Sequence, residues 1–458
     1  MIYTIISTCF NHLHIYLRYI RKESVYVKKL TIMLTVSAFA LSVLMTGCGT
    51  SRWYKGVTHL HTLWSDGDQL PELAVNWYKT NGYAFVAVSD HNTLLRGEKW
   101  KDVTALDAKY KIVAESSRLF GPATVRTLQA DGRTTIRLTT MDELVGMFSG
   151  CKDFILIDNQ EITAKSNVAS TNNVHLNAVN LHDNVSVYNG GTTESCAVEN
   201  VERARSLAGK GRDPVHLHLN HPNWTHSHSA EEMARIIDID SFELFNGGGY
   251  SHNLGDSFSA SCERAWDIAT TIRLTKQQTR PFYAVATDDA HNYHSISGAC
   301  PPGRGWIMVR AKRLEANELV MAMNRGDFYA STGVELGAID YDSEKGVISL
   351  EVKAKEGVEY SIEFIGTLKN AVIEPHEKFM NDNKGRPIKV TGVYSPEIGK
   401  VLKTVKSARA EYKLTGEELY VRVAVRSSVL VPDSKEKENY QSAWTQPYGW
   451  EKLLKINK

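Results

Sequence analysis

The sequence predicts an α/β barrel of parallel strands followed by an all-β, sandwich-like domain. Strand and helix signatures alternate from Lys55 to about Val309. After Gly333 the apolar pattern turns to period two with no intervening helix. Between these limits, histidines and acids recur where strands are expected to end. The 458 residues suffice for one large domain and a smaller one. The expected division is 1–47 as a signal, 48–335 as the barrel and 336–458 as the β-domain.

In chain order, the first segment stands apart from the fold. Lys28-Lys29 precede an apolar run from Leu30 to Met45, which ends at Thr46-Gly47-Cys48. A charged stretch, an apolar stretch and small residues before a cysteine resemble a bacterial lipoprotein signal. Met45 stands where Leu is usual. The resemblance implies cleavage before a lipidated Cys48, and an extracytoplasmic protein anchored to the membrane in the periplasm or at the cell surface. An uncleaved anchor is the alternative, since the run is just long enough to span. Residues before Val27 do not suit a signal peptide, so translation is expected to begin near Val27.

The next stretch, Gly56 to Thr62, reads as a strand and Ser65-Asp66-Gly67 as a turn. A helix starts at Pro71, a favoured first-turn residue, with Leu70, Leu73, Ala74, Trp77 and Tyr78 on one face. Gly82 closes it, and Tyr83 to Val88 is an apolar strand, completing a βαβ unit. Lys101 to Thr140 is weakly patterned and reads as an insertion. Met141 to Phe148 and Glu199 to Ala208 read as helices, and Ser229 with Glu232 three residues on is a capping-box signature. Strands are expected at Phe154–Ile157, Val174–Leu181, Pro214–Leu219, Ser241–Phe245, Phe282–Thr287 and Gly305–Val309. In the last part, Ile348, Leu350, Val352 and Ala354 alternate with polar residues, as do Tyr360, Ile362 and Phe364, and Leu419, Val421, Val423 and Val425. No Pro/Ser-rich linker precedes them, so the two parts are expected to pack directly.

Composition narrows function only slightly. Lys+Arg 53 against Asp+Glu 52 leaves no basic excess for nucleic acid, and no specific nucleic-acid binding is expected. With Cys9 removed and Cys48 lipidated, Cys151, Cys196, Cys262 and Cys300 remain. They form no CxxC pair, so buried thiols or one structural bridge are expected.

The sixteen histidines are more informative. In Thr58-His59-Leu60-His61-Thr62 the two imidazoles lie two residues apart, hence on one side of a strand, and can converge on an ion. Asp66 follows in the turn, then Ser89-Asp90-His91-Asn92 at the next strand end. Later strand ends carry Glu161, His175, His221, Glu243 with Asn246, and Asp288-Asp289-Ala290-His291. In a parallel barrel, C-terminal strand ends share one mouth.

This order of motifs, over roughly residues 55 to 310, resembles the polymerase and histidinol phosphatase (PHP) family of metal-dependent phosphoesterases. The resemblance implies a distorted seven-stranded β/α barrel holding two or three divalent ions: zinc, manganese or iron. It implies a first ion on His59, His61, Glu161 and Asp289, with Glu161 bridging to a second on His175 and His221. A third would lie on Asp66, His91 and His291, where many members have histidine in place of Asp66. Glu161, Asp289 and His221 are the residues expected to carry catalysis. Asp90, Asp288 and Glu243 are candidates to orient imidazoles through their other nitrogen, or else ordinary strand-end acids. Arg304 and His252 are candidate substrate contacts. Gly247-Gly248-Gly249 reads as a flexible turn or, less favourably, a backbone cradle for phosphate. His216 and His218 are expected to pack under helices, and His226 and His228 to be solvated. Gly326 to Gly333 resembles a junction of extracytoplasmic PHP proteins, with a structural role.

The expected activity is hydrolysis of a small-molecule phosphate mono- or diester by a metal-bound hydroxide. Two alternatives remain open: an amidohydrolase-like enzyme acting on other esters or amides, and a noncatalytic ligand-binding lipoprotein. Oligomeric state is not legible.

Overall fold

Short apolar runs bounded by glycine, proline and acidic turns form the first strands. The computed structural model describes residues 51–454 apart from 169–172, 212, 296–297, 377, 379, 382–384, 389, 433, 435 and 437. Cys9, Cys48 and the expected signal lie outside the described residues. β1 (Arg52–Val57) and β2 (Phe85–Val88) pair in parallel, connected through the helix Pro71–Thr80. Pro71 sits in that helix's first turn, and Gly82 follows it with φ +78°.

The expected insertion folds on itself. β3 (Trp100–Asp102), β4 (Thr127–Ala130) and β5 (Arg133–Arg137) form their own sheet beside two short helices. β6 (Ile155–Asp158) then extends the parallel pairing from β2, and the chain continues directly into β7 (Glu161–Lys165). β8 (Asn173–Val179), β9 (His216–Leu219), β10 (Ser241–Asn246) and β11 (Tyr283–Thr287) complete the second sheet with β7.

β9, β10 and β11 are mutually parallel, but β8 runs antiparallel to both β7 and β9. The expectation of parallel strands alone is corrected here. A parallel crossover needs a dozen or more residues, and the link from Lys165 to Asn173 is too short for one. Single bridges at Leu60↔Ala290 and His91↔Glu161 join the ends of the two sheets. Pairing therefore runs from β1 through β2, β7, β8, β9, β10 and β11 and back to β1.

Beyond this ring, β12 (Trp306–Ala311) pairs antiparallel with β1, and β13 (Phe328–Ser331) with β12. The remaining strands are β14 (Leu336–Asp342), β15 (Val347–Val352), β16 (Tyr360–Leu368), β17 (Met380–Asn381), β18 (Pro387–Ile388), β19 (Lys400–Val405), β20 (Arg409–Lys413), β21 (Glu418–Leu430) and β22 (Tyr440–Thr445). β22 pairs with β13, so one nine-stranded sheet runs from β19 to β6 through both parts of the chain. β14, β15 and β20 make a second sheet. Ile348, Leu350 and Val352 share a core with Ile362, Phe364, Val421, Val423 and Val425, as their alternation requires.

Helices at Cys262–Ile272 and Ala316–Arg325 were not expected. The first is tied to β21 by buried Arg422, which donates to Asp267 at 2.7 and 2.8 Å. The four described cysteines are free thiols. Among the described residues, no helix is long and apolar enough to cross a membrane.

Candidate metal centre

Past the end of β1 the chain stays extended, so His59 and His61 face one side and Leu60 turns into the core. His61 N donates to Ala290 O at 2.8 Å, Asp289 N to His59 O at 3.0 Å, and Leu60 N to Ser89 Oγ at 3.0 Å. These bonds draw Asp289, 230 residues away in sequence at the end of β11, beside the two imidazoles. His59 Nε2 lies 3.1 Å from His61 Nε2, and 3.2 Å from both Glu161 Oε1 and Asp289 Oδ1. His61 Nε2 lies 3.2 Å from Asp289 Oδ1 and 3.6 Å from Glu161 Oε2. Four tetrahedral donors about 2.0–2.1 Å from one ion stand about 3.3–3.4 Å apart. His59, His61 and Asp289 match that spacing, and Glu161 lies 3.2 Å from His59 and 3.6 Å from His61.

Glu161, fully buried, reaches further groups from the start of β7. Its Oε1 lies 3.0 Å from His175 Nδ1 and 3.6 Å from His221 Nε2, and its Oε2 contacts His91 Nδ1. His221 Nε2 is also 4.0 Å from Asp289 Oδ2. On the outer side, Asp66 Oδ1 lies 3.2 Å from His291 Nε2, 3.5 Å from His91 Nε2 and 3.8 Å from His61 Nδ1. Three groups can thus hold an ion: His59, His61 and Glu161; His91, Glu161 and His175; and His61, Asp66, His91 and His291. All nine residues expected as ligands meet in one place. His175 does so from the beginning of a strand, because reversed β8 carries that end to the mouth.

Electrostatics leave His61, Glu161 and Asp289 in their donor forms. Burial and the neighbouring His291 push the His61 imidazole down to about 3, so it is neutral at physiological pH. Burial alone would raise Glu161 and Asp289. The surrounding histidines, His175 first for Glu161 and His59 first for Asp289, outweigh it and hold both carboxyls well below their usual range. Burial likewise opposes protonation of His59, but Asp289, Glu243 and Glu161 outweigh it and hold that imidazole well above its ordinary value. A proton held there in the metal-free protein stands where an ion would be bound. Asp289 and His221 also take left-handed backbone angles, φ +51° and +25°, a strain that concentrates at functional sites.

The supporting residues divide. Glu243 Oε1 lies 2.6 Å from His59 Nδ1, and its Oε2 accepts from His221 N and Asn246 Nδ2, both at 2.7 Å. Asp90 touches no imidazole: it accepts from Thr62 N at 2.9 Å and Ser65 Oγ at 2.6 Å, and reaches His61 only through that hydroxyl. Asp288 accepts from the amides of Gly303, Arg304 and Gly305 at 2.7–2.8 Å and from Tyr78 at 2.9 Å. Its expected role on an imidazole is corrected to that of a loop clamp.

Neither expected substrate contact lines the cavity in front of the donors. Arg304 is buried and donates to Gly247 O at 2.9 Å, which braces the loop. His252 faces Asp256 at 3.5 Å, outside the cavity. The amides of Gly247, Gly248 and Gly249 are spent on Thr287 O, Asn246 Oδ1 and Ala299 O, so they form no phosphate cradle. His218 lies near His59, with ring centroids 6.5 Å apart, His216 Nδ1 lies 2.8 Å from Asn324 Oδ1 on the helix Ala316–Arg325, and His228 is buried.

Sequence reading missed the rest of the cavity wall: Trp224, Tyr250, Ser251 and Cys300. It named Asn246 without a role, yet that side chain joins Glu243 to Asp289 and to the Gly248 loop. Its place at a strand end beside Glu243 was the available signal.

No family model matches the chain, and no curated protein matches it. Solved structures do. One is a two-domain protein of Bacteroides vulgatus described as containing a predicted PHP-like metal-dependent phosphoesterase, at 12% identity over 86% of this chain and 95% of that one, TM-score 0.38. This chain is similar to that PHP-like protein. PsfC of Pseudomonas syringae matches at 12% identity over 59% and 87%, TM-score 0.30. A Bifidobacterium adolescentis protein described as a metal-dependent phosphoesterase matches at 14% over 53% and 90%, TM-score 0.26. At that distance the chemistry of the site stands on its own residues.

Proposed function

We propose that this chain is a metal-dependent hydrolase of phosphate esters, built on a distorted seven-membered α/β barrel of the PHP type. The observation that carries the reading is the set of four converging donors, His59, His61, Glu161 and Asp289, which continues through Glu161 to His175 and His221. The ring of strand pairing from β1 round to β11 supports the barrel assignment.

Two or three divalent ions bound there, as zinc, manganese or iron, supply Lewis acidity and an activated water. The protein's own residues do the rest. Glu161 and Asp289 stay ionised, His61 stays neutral, and Glu243 turns His59 Nε2 toward them. His221 is aimed by its amide bond to Glu243. The donors face a cavity of about 180 Å³, which limits water around the reacting ester.

Charge selects the substrate. Among the described residues, no Lys or Arg lines the cavity. Three divalent ions bring more positive charge than Asp66, Glu161 and Asp289 remove, so the filled site favours an anion over a neutral ester or amide. The test is turnover of aryl phosphomonoesters and phosphodiesters beside aryl acetates and lactones, with zinc, manganese or iron supplied. Phosphoester cleavage is expected. Cleavage of the neutral esters alone would replace this reading with an amidohydrolase-like one.

A further inference from the structure

Apart from Asp66, His91, Glu161, His175, His221, Asp289 and His291, all proposed ligands, the cavity wall consists of Trp224, Gly248, Gly249, Tyr250, Ser251 and Cys300. None carries a formal charge as an ordinary side chain. Much of the wall's polar capacity is already spent: Gly248 and Gly249 donate their amides at 2.8 Å, and Ser251 Oγ donates to Asn246 Oδ1 at 2.7 Å. Among the described residues, no Lys or Arg lines the cavity to receive a second phosphate or a carboxylate.

What remains is aromatic. Trp224 is held against the donors, its ring centroid 5.4 Å from that of His175 and 5.1 Å from that of His221. Tyr250 stands 70% exposed at the cavity, with no ring contact or hydrogen bond among the described residues. The cavity is small, about 180 Å³, against roughly 300–1,000 Å³ for sites of drug-sized ligands.

We propose that Trp224 and Tyr250 form the leaving-group subsite, and that it takes a flat, uncharged aromatic group, so that the substrate is a small aryl phosphomonoester. This rests on the phosphoesterase reading above. In the reaction, the oxygen of water bonds to phosphorus, the bond from phosphorus to the aryl oxygen breaks, and the phenol leaves with a proton from water. A phenol, with a pKa of about 10, departs with less help from a proton donor than an alcohol needs. That agrees with a wall whose non-ligand side chains include no carboxylic acid.

The test is calorimetric binding of phenylphosphonate, methylphosphonate and 4-carboxyphenylphosphonate to the zinc-loaded full chain. Phenylphosphonate should bind about tenfold more tightly than methylphosphonate, as stacking on two rings allows. The carboxylated ring should lose most of that gain. Tyr250→Ala and Trp224→Ala should each cut the phenyl-to-methyl ratio about threefold with zinc content unchanged. Tyr250 is exposed, so its variant remains informative if Trp224→Ala does not fold. An unchanged ratio in Tyr250→Ala overturns the subsite. Selective binding without cleavage of phenyl phosphate under zinc, manganese or iron would keep the subsite and reject the phosphoesterase reading.

Discussion

Glu243 Oε1 lies 2.6 Å from His59 Nδ1, and both side chains are fully buried. The contact places the His59 proton on Nδ1 and leaves Nε2 facing His61, Glu161 and Asp289. Glu243→Gln should therefore fold and lower affinity for the ion held by His59 about 10–100-fold, as loss of such a partner does. Competition with a chelator reads this directly. Wild-type affinity in the variant would show that Glu243 only fills space.

Glu161 and Asp66 should differ as ligands. Glu161 contacts His59, His61, His91, His175 and His221, whereas Asp66 meets His91 and His291 and lies 3.8 Å from His61. Glu161→Ala should lose more metal per folded chain than Asp66→Ala, and nearly all activity. Equal metal content in the two, by elemental analysis, would contradict the bridging role.

Much of this constellation was legible because strand parity and residue type encode it. His59 and His61 share a side, and Asp289 and His291 follow an apolar strand. What sequence concealed was carried by backbone bonds and loops. The acids Asp90 and Asp288 look like partners of histidine, but hydroxyl and amide hydrogens claim them. The reversal of β8 follows from a short link whose consequence depends on strand pairing. Trp224 opens the short 3-10 turn Trp224–His226 and Tyr250 sits in a loop, where no periodicity marks an aromatic residue as a wall. The helix Cys262–Ile272 did carry a signal, with Cys262, Ala265, Trp266 and Ala269 at helical spacing behind Ser261, whose side chain accepts from Arg264 N.

At the other end of the strands, Asp240 couples stability to pH. Burial would raise its carboxyl, but His216, Arg205 and Arg280 outweigh this and hold it below its ordinary value of 3.8. Arg205 donates at 2.6 Å and Leu217 N at 2.7 Å. A carboxyl depressed on folding stabilises above its unfolded pKa, and that contribution is lost as pH falls through the folded value. Asp240→Asn should cost about 2–3 kcal/mol near neutral pH. In urea unfolding, the gap from wild type should shrink below pH 3.8. A gap independent of pH would assign the loss to packing.

Anchoring is proposed from Thr46-Gly47-Cys48. Cys48→Ala should abolish lipid labelling and shift the protein out of the membrane fraction. Equal labelling of variant and wild type would reject Cys48 as the lipidated residue.

Dependence on metal tests the central claim most directly. The purified chain, stripped with chelator, should lose all cleavage of phenyl phosphate and regain it when zinc, manganese or iron is returned, while Glu161→Ala regains none. Full activity in stripped protein, or equal recovery in Glu161→Ala, would contradict the account.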